Sequence, residues 1–155
     1  LATALRLIAP SDGLIAALER FGPLYGHHLR RRWLWRLGLK PHGEQEDGAL
    51  IAACERHMRE NSIQPDAFFH DHRGGRAGSD MLEQVFAGYE PTHCDHPYWN
   101  EEEPESMLID EVETLWSAID ERDDWQPLHD KISAIRRMGA AHGEPPAAPG
   151  HSGGS

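Results

Sequence analysis

Apolar residues recur every three or four positions along most of this chain, a spacing typical of amphipathic α-helices. The clearest case is the stripe formed by Leu108, Val112, Leu115 and Ile119. The pattern shows no alternation of period two long enough to indicate a strand. It predicts helices over residues 1–9, 14–21, 24–39, 46–60, 81–89, 108–119 and 125–138, with a shorter helical element over 65–72.

Proline, glycine and capping residues divide these segments. Pro10 ends the first helix because proline cannot donate a helical hydrogen bond, and Ser11 or Asp12 can cap the next helix. Pro23 either kinks that helix or begins a new one. Gly74 and Gly75 stop the element over 65–72, Ser79 or Asp80 caps the helix that follows, and Gly139 or Gly143 stops the last one.

Two stretches lack any helical period. Residues 90–106 contain three prolines and predict a long surface loop, whereas the Pro, Gly, Ser and Ala composition of residues 143–155 predicts a disordered tail. A turn over 121–124 would pair the last two helices as a hairpin. We therefore predict an all-α helical bundle, with one domain over residues 1–142 followed by the tail.

Charge narrows the classes of partner. The net charge is −11, and residues 101–124 hold eleven acidic residues against one base, Arg122. This balance disfavours nucleic acid and anionic membranes as partners, and the apolar runs are shorter than the roughly 20 residues of a membrane span. Two cysteines indicate no disulfide framework, so we expect a cytoplasmic protein. A basic counterpart lies in Arg30, Arg31, Arg32 and Arg36.

Histidine, cysteine and aspartate cluster in two short segments that invite a zinc hypothesis. Their spacing matches no standard zinc finger or ribbon, so we expect solvated loop histidines rather than a metal site, although a small metal-binding protein stays possible. Cys94 lies beside a histidine without a third orienting residue, and Cys54 falls on an apolar stripe as a core residue. The cluster comprises His70, Asp71, His72, His93, Cys94, Asp95 and His96.

The other candidate chemistry is weaker. The acidic stretch lacks the alternating ligands and central glycine of a calcium loop, which favours a solvated acidic face. Phosphate binding would need a glycine-rich turn, and the nearest approach, Gly74 and Gly75 between Arg73 and Arg76, is explained by a turn that ends a helix. We therefore assign no catalytic, cofactor-binding or metal-binding residue to this chain.

Three segments in order resemble the carboxy-terminal helical part of the selenoprotein O family. They are YGHHLRRRWLWRLGL over 25–39, EQEDGALIAACERHM over 44–58 and DAFFHDHRGG over 66–75. The opening LATALRLIAP is similar to the family segment after a Trp-Asn-Leu motif, with Leu1 as its last residue. The segment 109–125 is similar to the end of a bacterial branch of the family. The resemblance covers most of residues 1–142.

This resemblance implies a kinase-like protein adenylyltransferase, which transfers AMP from ATP, with Mg²⁺ or Mn²⁺, to Ser, Thr or Tyr hydroxyls of protein substrates. The family's nucleotide- and metal-binding residues precede the position that Leu1 matches, so none is carried over. Because the chain starts within a helical pattern and without Met, we expect an N-terminal kinase-like lobe to be missing and this part alone not to be catalytic. We expect Trp33, Trp35 and Trp116 to be exposed where that lobe packs. The alternative is a free-standing acidic helical module that binds a basic protein.

Overall fold

A computed structural model of the chain describes residues 11–147, leaving the predicted helix over 1–9 and most of the predicted tail outside the described residues. The described chain forms six α-helices: α1 (Ser11–Leu37), α2 (Glu44–Asn61), α3 (Pro65–Asp71), α4 (Asp80–Phe86), α5 (Ile109–Arg122) and α6 (Gln126–His142). Two 3₁₀ turns lie over Arg73–Gly75 and Pro97–Asn100. No strand occurs in this part, only a single antiparallel bridge between Leu39 and Pro91. The all-α prediction is confirmed, whereas its link to a kinase-like fold stays a prediction.

Helix α1 runs unbroken through Pro23, so of the two alternatives predicted there, the start of a second helix is wrong. Proline removes one backbone N–H and disturbs the preceding turn. The carbonyl group that loses its helical donor belongs to Glu19, and both Glu19 and Pro23 are exposed, so water can replace the missing donor. The helix ends at Leu37 rather than 39, because Gly38 takes a left-handed conformation with φ of 65°.

The main core lies where the second half of α1 meets α2, α3 and α4. Leu34 and Leu37 point into it from α1, and the apolar stripe of α2 meets them, including the predicted core residue Cys54. The remaining members are Leu39, Leu50, Ile51, Phe68, Phe69, Leu82 and Phe86. Helix α4 is capped as predicted, since the hydroxyl of Ser79 accepts from the backbone N–H of Leu82, but it ends three residues early.

A second, smaller core forms inside the predicted surface loop. Tyr98 and Trp99 of its 3₁₀ turn are buried against Met138 and Ala141 of α6. The loop is irregular as predicted, but its description as a surface loop is wrong for these two residues. Adjacent aromatic residues have no periodicity to reveal their burial, yet they supply a large apolar area.

The last two helices form the predicted hairpin. Lys131 of α6 fixes its base by donating to Glu105 of the loop at 2.9 Å and to Glu111 of α5 at 2.7 Å. Helix α6 continues through Gly139 and ends before Gly143, one turn beyond the predicted residue 138. No helix within residues 11–147 is both long and apolar enough to cross a bilayer.

Candidate functional site

Arg73 lies at the point where the two cores meet. Its side chain is only 2 % exposed. One terminal nitrogen, Nη1, donates to the carbonyl groups of Trp35 at 2.7 Å and Arg36 at 2.9 Å, and Nη2 donates to His93 at 3.0 Å. The last carbonyls of a helix have no partner within it and carry partial negative charge, so this guanidinium caps α1.

The neighbouring glycines make room for this arrangement. A Cβ at Gly38 would lie 2.4 Å from Nε of Arg73 and 2.8 Å from the carbonyl oxygen of Thr92. Gly74 has a φ of 72°, and a Cβ added to it would lie only 2.8 Å from the sulfur of Cys94. The sequence motif of two arginines around two glycines is therefore a structural clamp, and Arg76 likewise donates to the carbonyls of Trp99 and His70.

His142, the last residue of α6, also lies at this junction between the two cores. Its Nδ1 lies 3.4 Å from Nη1 of Arg73, and its ring packs against Trp35 and Trp99 with centroids 5.0 and 4.9 Å away. Burial, followed by the positive charges of Arg73 and Arg36, lowers the pKa of His142 to about 4. The neutral imidazole can accept a hydrogen bond from Arg73 and thereby joins α6 to the end of α1.

The histidine, cysteine and aspartate residues considered as metal ligands have separate partners in the structure. His70 lies 3.4 Å from the carbonyl oxygen of Tyr98, His72 lies 2.7 Å from that of Arg76, and Cys94 donates to Thr92 at 3.2 Å. The expectation of solvated loop histidines is wrong for His70 and His72, which are buried at the end of α3. Within residues 11–147, no three His, Cys, Asp or Glu side chains come together in a way that could hold a metal ion.

The two cysteines have separate environments. Burial, and secondarily the charge of Glu55, raise the pKa of Cys54 to about 12, so this thiol stays protonated at neutral pH and is a poor nucleophile. The thiol of Cys94 is half-buried and donates to a backbone carbonyl. Among residues 11–147, neither thiol has a histidine as a hydrogen-bond partner.

Three of the five arginines of α1 make side-chain contacts within the described part of the chain. Arg30 pairs with Glu44, and Arg36 pairs with Asp66 at 2.7 Å while lying over the ring of Phe69. Arg32 lies over the ring of Trp35. A cleft of about 420 Å³ beside Arg30 and Arg31 also contains the acidic side chains of Glu44 and Asp47. This mixed lining does not resemble the concentrated positive charge that polyphosphates require.

Two surfaces contain most of the large apolar residues that are exposed in the described part of the chain. The first, which we call the α1 face, consists of Ile15, Leu18, Phe21 and Tyr25, and Phe21 is 63 % exposed. The second, the hairpin groove, is an apolar depression of about 180 Å³ between α5 and α6. It is lined by Met107, Val112, Leu115, Trp116, Ile119, Trp125 and Leu128.

The expectation that three tryptophans are exposed is confirmed only for Trp116, which is 60 % exposed. It is wrong for the other two. Trp33 packs edge-on against Phe69 of the main core, and Trp35 packs against His142. Both tryptophans lie in the half of α1 that is covered by α3 and α6, whereas the α1 face lies in the preceding half.

Comparison with known proteins gives one family-level indication. The chain is 24 % identical over 157 aligned residues to a protein from Trichodesmium erythraeum described as protein nucleotidyltransferase YdiU. The aligned region covers 85 % of this chain but 33 % of that protein, so the chain spans about a third of the length of the curated relative it matches. No family model matches the chain, and no solved structure matches it significantly. The similarity supports a relation to protein nucleotidyltransferases.

Proposed function

We propose that this chain is the carboxy-terminal helical part of a protein adenylyltransferase related to the selenoprotein O family. In this proposal the longer protein transfers AMP from ATP, with Mg²⁺ or Mn²⁺, to hydroxyl groups of protein substrates. The helical part buttresses the nucleotide-binding part and does not itself perform the chemistry. The observation that carries the proposal is the similarity to a nucleotidyltransferase three times as long as the aligned region.

The α1 face supports the proposal because it offers an exposed apolar surface for the rest of the protein to pack on. Its four residues are spaced by three or four positions, so they share one side of the helix. Large apolar side chains arranged in this way gain about 1.5–3 kcal/mol each when fully buried. The opposite end of α1 is fixed in the main core through Leu34 and Leu37, which holds the face in a defined orientation. We assign the nucleotide-binding part as its occupant.

The distribution of charge supports assigning the chemistry elsewhere. Nucleotidyl transfer depends on cations and a metal arranged around phosphates. Here Arg73 is occupied by three carbonyl groups, and Arg30 and Arg36 by carboxylates. ATP and the divalent metal would therefore be bound by residues outside this chain.

The test compares this chain with a form extended upstream along its coding sequence, each incubated with a labelled ATP analogue and Mg²⁺ or Mn²⁺. We expect label on the extended form and none on the 155-residue chain. Label on the short chain would contradict the division of roles. An upstream sequence without a nucleotide-binding domain would instead support the free-standing acidic interaction module.

A pair of variants tests the role of the α1 face in the extended form. Phe21→Asp should lower labelling by about tenfold or more, since burying an unpaired carboxylate in an interface is costly. Ala16→Asp adds the same charge on the same exposed helix, about half a turn away around its axis. It should leave labelling unchanged. Equal activity of the two variants would show that the nucleotide-binding part does not pack on this face.

A further inference from the structure

The hairpin groove is a second exposed apolar surface, built from different helices than the α1 face. Trp116 lies on α5, and Trp125 is the residue directly before α6. Asp123 accepts from the indole N–H of Trp125 at 2.9 Å, which holds one wall of the groove in place. The groove's lining is almost entirely apolar.

Carboxylates lie along the α5 side of this groove and at the turn that closes one end of it. Glu113 and Asp120 lie three residues before and four residues after Trp116, and so flank it on the same side of α5. Asp123 and Asp124 lie in the turn beside Trp125. None of these four carboxylates forms an ion pair with a lysine or arginine in the part of the chain that the structure describes.

Acidic residues at the base of the same hairpin, in contrast, form ion pairs with lysine or arginine. Glu105 and Glu111 share Lys131, and Glu101 pairs with Arg137 at 3.0 Å. Hydrogen bonds from Lys131 and Ser106 lower the pKa of Glu111 to about 2. Negative charge is thus neutralised where the hairpin joins the protein and left uncompensated around the groove.

We infer that the hairpin groove is a docking site for a cationic amphipathic helix of a partner protein. Such a helix would place apolar side chains at spacings of three and four residues into the groove, with lysine or arginine on the side that faces α5 and the turn. Its charges would meet the rim formed by Glu113, Asp120, Asp123 and Asp124, which aids both association rate and specificity.

Charge selects this occupant over others. A second copy of the chain would bring the same carboxylates into contact, and like charges across an interface cost several kcal/mol. An anionic membrane is repelled for the same reason. The inference does not depend on the proposed nucleotidyl transfer, because none of the residues in the groove or its rim belongs to α1.

The test uses the 155-residue chain and a fluorescein-labelled synthetic peptide of 18 residues, made of leucine and lysine in an amphipathic helical pattern. Two related peptides serve as controls: one has glutamate in place of lysine, and the other has the leucines scattered around the helix. Binding is followed by fluorescence anisotropy at low and high NaCl. We expect saturable binding of the first peptide only, weakened by salt.

Variants then locate the binding site. Trp116→Ala removes an exposed side chain and should weaken binding by about tenfold, the size expected for a central aromatic contact. Glu113→Gln with Asp120→Asn should weaken it by about threefold to tenfold and reduce its salt dependence. The control, Glu60→Gln with Glu83→Gln, makes the same change of charge at exposed sites on α2 and α4 and should have no effect. Circular dichroism checks that every variant is folded.

Four results would overturn the inference. The leucine–lysine peptide could fail to bind, or the glutamate peptide could bind equally well. Trp116→Ala and the rim variant could both bind as tightly as the unaltered chain. Finally, sedimentation could show that the chain dimerises and that Trp116→Ala abolishes the dimer, which would identify a second copy as the occupant.

Discussion

Protonation of His142 should weaken the junction between the two cores. The imidazole is neutral in the folded protein, where burial and the charges of Arg73 and Arg36 hold its pKa at about 4 instead of the ordinary 6.5. In the unfolded chain the same imidazole binds a proton near pH 6.5. Between these two values the unfolded state therefore holds more protons at His142, so the contribution of His142 to the free energy of unfolding falls as pH is lowered from about 6.5 to 4 and is constant above that window.

The size of this effect follows from the two pKa values. A change of one in pKa corresponds to about 1.4 kcal/mol, so a fall from 6.5 to about 4 sets a ceiling of about 3 kcal/mol. His142 is only partly buried, and solvent screening reduces the effect. We expect a loss of about 1–3 kcal/mol.

The assay compares urea unfolding of the unaltered chain and of His142→Gln at several pH values between 7 and 4. Glutamine can still accept from Arg73 but does not titrate. The stability advantage of the unaltered chain should be largest at pH 7 and shrink by about 1–3 kcal/mol at pH 4. The carboxylates and the buried His72, whose pKa is lowered chiefly by burial, are present in both proteins, so their contributions cancel.

His129→Gln provides a matched control, because His129 is an exposed residue on the same helix. Its stability should follow that of the unaltered chain at every pH. If the curves of the unaltered chain and His142→Gln stay parallel from pH 7 to 4, His142 does not sit unprotonated against Arg73 and the account of the junction is wrong.

Three further predictions concern the same framework and are measured by urea unfolding. Gly38→Ala should lower the free energy of unfolding by at least about 3 kcal/mol, because a left-handed backbone and contact with Arg73 both oppose a Cβ. Gly48→Ala, inside α2 with open space around it, should instead raise the free energy of unfolding by about 0.5–1 kcal/mol. Arg73→Met should cost about 3 kcal/mol or more through its three lost hydrogen bonds, and Arg73→Lys, which lacks the planar fork, should recover less than half of that loss. Lys131→Met should lower the free energy of unfolding by about 1 kcal/mol and speed hydrogen exchange at the start of α5, because it removes the ion pairs of Lys131 with Glu105 and Glu111. Unchanged stability of any of these variants, or a destabilised Gly48→Ala, would contradict the corresponding contact.

Helical periodicity in the sequence was sufficient for the all-α fold and for most helix positions. Each helix of this bundle carries an apolar stripe, and such a stripe is a local property of consecutive residues. The stripe of α2, with Cys54 on it, was placed in the core correctly for this reason. The same reasoning could not tell whether a stripe is covered. The stripe containing Val112 and Trp116 looks like a core face in sequence and is largely exposed in the structure.

The tertiary structure alone decided where buried polar residues lie. Arg73, His70 and His72 are polar residues in a segment that ends in glycines, and nothing local shows that they are buried beneath other helices. The partners of Arg73 and His70 include backbone carbonyls from distant positions, Trp35 and Tyr98 respectively. Backbone carbonyls carry no sequence signal, because every residue has one. The sequence therefore determined which helices form, and only the packing of these helices decided which polar groups join them and which apolar faces stay open to a partner.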